Sequence, residues 1–388
     1  MKDFTKADLN NKKVLLRLDL NVPITNGVIK DLTRVKKSLP TLEALIKQNA
    51  KVLVLTHLGR PKGIDPNFSV KPVFEALKEL IPSVSIQFES DINKAKELLN
   101  SNQVVLFENI RFDKREEEGS IEFARELAGN MDVFINDAFS CCHRSHTSIS
   151  FVNQFLPSYP GLLLNNEITN LENIVLNPKK PVTAIVGGSK VSTKIDILKN
   201  LINKVDYLVI GGAMANTFLK LNSVNIGASL YEEDYIESAR QIALDCEKSG
   251  CKIILPVDGI IAKKLSDDAE AREENFDLVQ SDEMILDIGS KSVTQISEIL
   301  EKSASLIWNG PVGAYEFKPF ANGSIAIAKK AAELTKQGKL ISVAGGGDVN
   351  AAINIANCDE DFTYISTAGG AFLEWLEGKE LPGIKALK

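Results

Sequence analysis

Four apolar runs, VLLRLDL, VLVLTHL, VVLFENI and VFINDAF, recur along the first part of the chain, separated by segments of helix length. They are continuous rather than alternating in polarity, which predicts parallel strands covered by helices on both faces. A second series follows further on. Its segments, TAIVGGSK, YLVIGGAM, SLIWNGPVG, ISVAGGGDV and YISTAGGAF, all carry glycine at the expected strand end. Between the two series, LLLNNEITNLENIVL has helical spacing from Leu162 to Leu176 and then meets Asn177, Pro178 and Pro181, which do not continue a helix comfortably. The expected fold class is α/β, two doubly wound parallel-sheet domains joined by a helical hinge. The expected divisions are 1–161, an interdomain helix over 162–176, and 177–377. A tail, 378–388, carries apolar Leu381, Ile384 and Leu387, and should pack on a neighbouring surface.

Length agrees with that division, since 388 residues exceed one compact core and suit two. Charged residues at 25% and hydrophobic residues at 44% are ordinary for a soluble protein, and a net charge of -6 argues against nucleic acid as the main partner. The opening MKDFTKADLNNKK lacks the apolar core of a signal peptide, and no apolar run approaches a membrane span. A cytoplasmic protein with no membrane partner is expected. Five cysteines, with Cys141 and Cys142 adjacent, fit neither a disulfide framework nor zinc spacing, so reduced thiols are expected. No association helix stands out, and a monomer is expected.

The residues that follow the strands carry the chemistry. After the first come Asp19, Asn21 and Arg34; after the second, His57 and Arg60; after the third, Arg111; after the fourth, His143, Arg144 and His146. Ligands of open α/β sheets sit beyond the carboxyl ends of the strands, so these groups can converge on a small anion. The later strands end instead on backbone amides, at Gly187 and Gly188 and at Gly345, Gly346 and Gly347 before Asp348. Such turns at helix starts suit polyphosphate, and Asp348 offers the carboxylate that a phosphate-bound Mg²⁺ takes. Lys190 and Lys194, four apart, are expected to share one helical face toward the same phosphates, with an ordinary surface pair as the alternative. The sequence has neither GxxxxGK[ST] nor GxGxxG, which disfavours a P-loop ATPase and a nicotinamide dehydrogenase.

An arginine wall and a glycine wall together fit phosphoryl transfer, which needs in-line positioning and positive groups, with the domains closing to exclude water. A protein that closes on an anion without reacting would use the first wall alone. Cys142 beside His143 suggests a thiol mechanism. Neighbours on an extended segment point to opposite sides, however, and small buried cysteines are the preferred reading. His143 or His146 is expected merely to hydrogen-bond backbone in a loop and neither is expected to be a general base, since none is needed between a carboxylate and a phosphate. The charge run Lys114 to Glu118 is expected to be solvated helix surface.

Seven segments, RLDLNVP, THLGRP, DAFSCCHRSH, GGSKVSTK, WNGPVGAYE, AGGGDV and STAGGAFLE, follow in order over nearly the whole chain. In that order they closely resemble the phosphoglycerate kinase family. The resemblance implies Rossmann-like domains and reversible, Mg²⁺-dependent phosphoryl transfer between 1,3-bisphosphoglycerate and ADP, giving 3-phosphoglycerate and ATP without a covalent intermediate. It implies that Asp19, Asn21, Arg34, His57, Arg60, Arg111 and Arg144 hold 3-phosphoglycerate or its acyl phosphate in the N-terminal domain. Gly187, Lys190, Lys194, Asn309, Glu316, Gly345, Gly346, Gly347 and Asp348 would hold ADP or ATP, with Asp348 on the metal and Glu316 on the ribose hydroxyls. Arg34, Lys190, Gly347 and Gly370 would face the moving phosphoryl. The tail would return to the N-terminal domain. Three positions depart from the family pattern: Val349 in place of Ser or Thr, Ala368 in place of Gly, and Phe372 in place of a small residue. Altered nucleotide affinity is the most that these should cause.

Overall fold

The computed structural model describes residues 2–172, 178–366 and 368–388. The chain forms two compact units, Met1–Thr169 with Glu380–Lys388, and Asn170–Lys379. Both are α/β, each built on a six-stranded parallel sheet.

In the first unit the strands lie in the order Ile86–Glu89, Val104–Phe107, Lys51–Leu55, Lys13–Arg17, Val133–Asn136 and Ser158–Pro160. The apolar runs are continuous because both faces of this sheet are covered. Val14, Leu16, Val52 and Val54 join one core, whereas Leu15, Leu53, Leu55 and Phe134 join another. Alternate side chains of one strand thus serve opposite faces. The two edge strands lack comparable runs and were not evident from polarity. The central strands end before their apolar runs do, at Arg17, Leu55, Phe107 and Asn136, so the polar residues that follow leave the sheet at one edge. Strand order reverses between Lys13–Arg17 and Val133–Asn136, which opens the crevice of an open sheet there.

Helix Leu162–Leu171 follows the last strand. Leu162 N donates to Thr41 Oγ1 and Leu164 N to the buried Asp137 at 2.9 Å, so a side chain from the neighbouring strand end meets the opening turn of the helix. The remainder of the expected 162–176 segment, from residue 173, lies outside the described residues, as does Asn177. At the other end of the chain, Gly383 N donates to Cys142 O at 2.9 Å, and Leu381, Ile384 and Leu387 are buried.

The second unit orders its strands Lys252–Ile254, Tyr207–Ile210, Val182–Val186, Ser305–Asn309, Ile341–Gly345 and Tyr364–Ser366. Reversal falls between Val182–Val186 and Ser305–Asn309. Trp308, wholly buried with Ile185, Leu306, Ile327 and Ile353, anchors the core beneath this point. Strand and helix alternation is interrupted by an antiparallel sheet, Arg272–Asn275, Asp258–Ala262 and Met284–Ile288. The sequence pattern did not show it, because Arg272–Asn275 is polar throughout and three of the five residues of Met284–Ile288 are only partly covered. Among the described residues no helix is long and apolar enough to cross a membrane.

Candidate active site

At the carboxyl edge of the first sheet, Asp19 is the organising carboxylate. Its Oδ2 accepts from Arg34 Nη1 at 2.5 Å and from the Ser140 hydroxyl, while Oδ1 accepts from Asn21 N at 3.2 Å. Asn21 in turn accepts from Gly59 N at 2.9 Å, and Gly59 O accepts from Arg111 Nη1 at 2.6 Å. Four strand ends are thereby tied into one patch. Arg60 and Arg144 enter it electrostatically: after burial, the charges of Arg144, Arg111 and Arg60 hold the His143 imidazole below its usual range. Burial, then Arg111, Arg144 and Arg17, push His146 down to about 3. His57 is buried against Arg17 and is held well below its ordinary value by burial first and by that guanidinium second. The histidines are therefore neutral near pH 7, able to donate a hydrogen bond and poor at taking a proton. Among the described residues, Nδ1 of His143 and Nδ1 of His146 are both buried without a hydrogen-bond partner.

One expectation is corrected here. The charge run 114–118 is not simply solvated. Glu116 is fully buried, with its carboxylate accepting from Ser148 N at 2.9 Å and Ser148 Oγ at 2.6 Å, and Glu117 lies 3.3 Å from Arg111 Nε. The run folds inward because a serine 32 residues later satisfies one of its carboxylates. Arg17 lies within the run VLLRLDL, whose pattern assigns it no role. It is wholly buried and points along the edge toward His57, at 3.2 Å. A charged residue inside a strand covered on both faces was the available signal.

Cys141 and Cys142 are buried free thiols, and burial pushes both up, Cys142 far up. A thiol mechanism needs a lowered value and access, and these positions offer neither.

The second sheet presents a different edge. Gly187 N donates to Asn309 O at 2.8 Å across the reversal point, and a Cβ on Gly187 would lie 1.9 Å from Pro311 O. That glycine lets two turns touch. Lys194 Nζ donates to Asn309 Oδ1 at 2.5 Å and Asn309 Nδ2 donates to Gly345 O at 2.6 Å, so lysine, amide and glycine turn form one chain. Burial lowers Lys194, against the attraction of Asp348. Lys190 and Lys194 do not share a helical face. They flank the 3-10 turn Val191–Thr193, which forms because Glu232 accepts both the amide and the hydroxyl of Ser192, at 2.9 and 2.6 Å. Lys190 is left exposed.

Gly346 adopts φ of 120°, a conformation that L side chains rarely take, and so turns the backbone into helix Gly347–Ile355. Neither this helix nor Gly369–Leu376 has a side-chain cap, and nothing lies within 4 Å of a Cβ built on Gly347. Two helix N-termini thus offer, among the described residues, amides without a side-chain cap at one sheet edge. Asp348, exposed in the first turn, sits at the mouth of a cavity of about 330 Å³ lined also by Leu230, Leu265, Met284, Leu286 and Glu316. Part of its apolar wall, Met284, Ile285 and Leu286, comes from the antiparallel sheet, an element that sequence spacing did not reveal. Glu316 is exposed at this cavity, and Gly370 is exposed in the first turn of its helix.

The departures from the family pattern have packing explanations at two positions. Phe372 is wholly buried against Gly345, whose added Cβ would meet the ring at 2.6 Å. Val349 is wholly buried in the core that contains Trp308. Ala368 is buried beside Ser366, whose hydroxyl accepts its amide at 3.2 Å; nothing in the structure explains alanine there.

A protein-family model described as Phosphoglycerate kinase matches residues 2–379. Phosphoglycerate kinase of Mesorhizobium japonicum is 48% identical over 388 residues, covering 98% of this chain and 97% of that protein. The Chelativorans sp. protein of the same name is 46% identical, with the same coverages. Among solved structures, phosphoglycerate kinase from Coxiella burnetii matches with a TM-score of 0.92 at 40% identity, covering 99% of this chain and 97% of that one. The Pyrococcus horikoshii enzyme matches with a TM-score of 0.82 at 29% identity, covering 100% and 98%. With a family model spanning nearly its full length and relatives near half identity, the chain belongs to the phosphoglycerate kinase family.

Proposed function

We propose that this chain catalyses reversible phosphoryl transfer between 1,3-bisphosphoglycerate and ADP, with the first unit holding the phosphoglycerate and the second the nucleotide. The observation that carries this reading is the contrast between the two sheet edges: arginines around Asp19 in one, uncapped helix N-termini with Lys190, Lys194 and Asp348 in the other.

In the direction of ATP use, a carboxylate oxygen of 3-phosphoglycerate attacks the γ-phosphorus of ATP. A new O–P bond forms as the bond to the β,γ-bridging oxygen breaks, and ADP leaves with that electron pair. No proton has to move near neutral pH, which agrees with the neutral histidines. Asp19, Asn21, His57, Arg60, Arg111 and Arg144 orient the acceptor. Gly187, Asn309 and the amides at Gly345, Gly346 and Gly347 receive the nucleotide phosphates, and Glu316 receives the ribose. Arg34, Lys190 and the amides of Gly347 and Gly370 meet the charge that develops on the transferring group. Transfer requires the two units to bring these edges together during turnover. Asp348 suits Mg²⁺, an ion that takes one or two carboxylates and completes its shell with substrate phosphates and water. Bound there, the metal would neutralise phosphate charge. We further propose that the protein works as a cytoplasmic monomer.

Purified protein with ATP, Mg²⁺ and 3-phosphoglycerate, with hydroxylamine to trap acyl phosphate, tests the reading. Product that requires all three components is expected. ATP binding without product would limit the assignment to the second unit and favour a first unit that binds an anion without reacting on it.

A further inference from the structure

Beneath the first unit's edge, three wholly buried polar side chains form a line that the strand-end residues do not use: Glu116, Ser148 and Arg17. Glu116 accepts the Ser148 amide and hydroxyl at 2.9 and 2.6 Å. Ser148 Oγ, its proton given to Glu116, accepts Arg17 Nε at 2.9 Å. Arg17 continues to Leu18 O, to Cys141 Sγ at 3.8 Å and to His57 Nδ1 at 3.2 Å. A guanidinium has donors only, so Nδ1 of His57 is the acceptor in that contact and the ring proton belongs on Nε2. The groups that Arg17 itself contacts are neutral, and a buried cation is costly without compensation. Glu116, one hydroxyl away, is pushed up by burial, while the Arg17 charge and the Ser148 hydrogen bonds work in the opposite direction and favour its carboxylate form.

We propose that Glu116 is a positioning residue for the anion site: through Ser148 it anchors the Arg17 guanidinium against His57 Nδ1, so that the imidazole presents its Nε2–H to the bound 3-phosphoglycerate. This rests on the functional reading above for the identity of the anion. The direction of every hydrogen bond in the line follows from its two ends. A carboxylate accepts at one end, an imidazole nitrogen accepts at the other, and a cation and a hydroxyl transmit between them. Glu116→Gln places an amide N–H where only an acceptor fits, and Ser148→Ala removes the link while leaving both charges in place.

Each variant is expected to raise KM for 3-phosphoglycerate about tenfold, with KM for ATP within about twofold of the parent. The double variant should be little worse than the more affected single one, because both cut the same line. Nitrogen-15 spectra of the imidazoles, recorded without substrate, should show His57 protonated on Nε2 in the parent and a mixture of tautomers in the variants. A purely structural role would lower stability and leave the tautomer and the ratio of the two KM values unmoved. If Glu116→Gln does not fold, Ser148→Ala carries the test alone. His57 protonated on Nδ1 in the parent, or an unchanged KM for 3-phosphoglycerate in the folded variants, overturns the proposal. Absence of acyl phosphate from the parent protein overturns the functional reading instead, and the tautomer still decides the anchoring line because it is read without substrate.

Discussion

Arg34 pairs with Asp19 at 2.5 Å while 34% of its side chain stays exposed. Ion pairs this accessible contribute about 1 kcal/mol or less to stability, so the pair orients the guanidinium more than it holds the fold. Arg34→Ala should therefore lower kcat and kcat/KM together by about a hundredfold with little change in Tm. Steady-state kinetics beside a thermal melt check this, and a preserved kcat would remove Arg34 from the transition state. Val349 presents the opposite case, a side chain buried where a hydroxyl would have to find a partner. Val349→Thr should cost about 1 kcal/mol of stability and change turnover less than tenfold, as read by denaturant unfolding and by initial rates. At this scale the sequence was informative where a polar residue lies near the end of an apolar run, as with Asp19 and His57. It was silent where burial depends on a distant partner. Glu116 looks like surface until Ser148 is folded against it.

Among the elements, the turns at the second sheet's reversal point fit together backbone to backbone. Gly187→Ala would drive a methyl toward Pro311 O, 1.9 Å from its Cβ position, and neither backbone can yield cheaply. A loss of roughly 2–4 kcal/mol is expected, with weaker nucleotide binding; urea unfolding and a nucleotide titration measure the two. In the first unit the opening of helix Leu162–Leu171 is held by Asp137, whose carboxyl burial pushes up to about 7 against hydrogen bonds from Thr41 and the amides of Leu164 and Leu163. A raised carboxyl binds its proton more tightly folded than unfolded. Its contribution is complete below about pH 4 and is lost as pH climbs through about 7. Asp137→Asn should flatten the fall in stability between pH 5 and 7.5 by on the order of 2–3 kcal/mol, seen as a smaller difference between unfolding curves at the two pH values. The long parallel strands were legible because both their faces are apolar. The antiparallel insertion and the 3-10 turn between Lys190 and Lys194 were not, since one is built from half-covered strands and the other is set by Glu232, remote in sequence.

For the molecule as a whole, the division into two units follows space rather than chain order, since Glu380–Lys388 belongs with residues from the beginning. Leu381, Ile384 and Leu387 bury themselves there, and Gly383 seats its amide on Cys142 O. Ending the chain at Lys379 should cost the first unit about 4.5–9 kcal/mol, given about 1.5–3 kcal/mol for each of three apolar side chains fully buried. Hydrogen exchange would show it as faster exchange over 142–149 with the 187–212 turns unchanged; equal protection in both proteins would make the tail dispensable. During synthesis the same arrangement sets an order of events. Domains begin to fold as they emerge from the ribosome, but Glu380–Lys388 is made only after the whole of Asn170–Lys379. The unit that is made first is thus the one that must wait longest for its final piece, and the unit made second can finish before it.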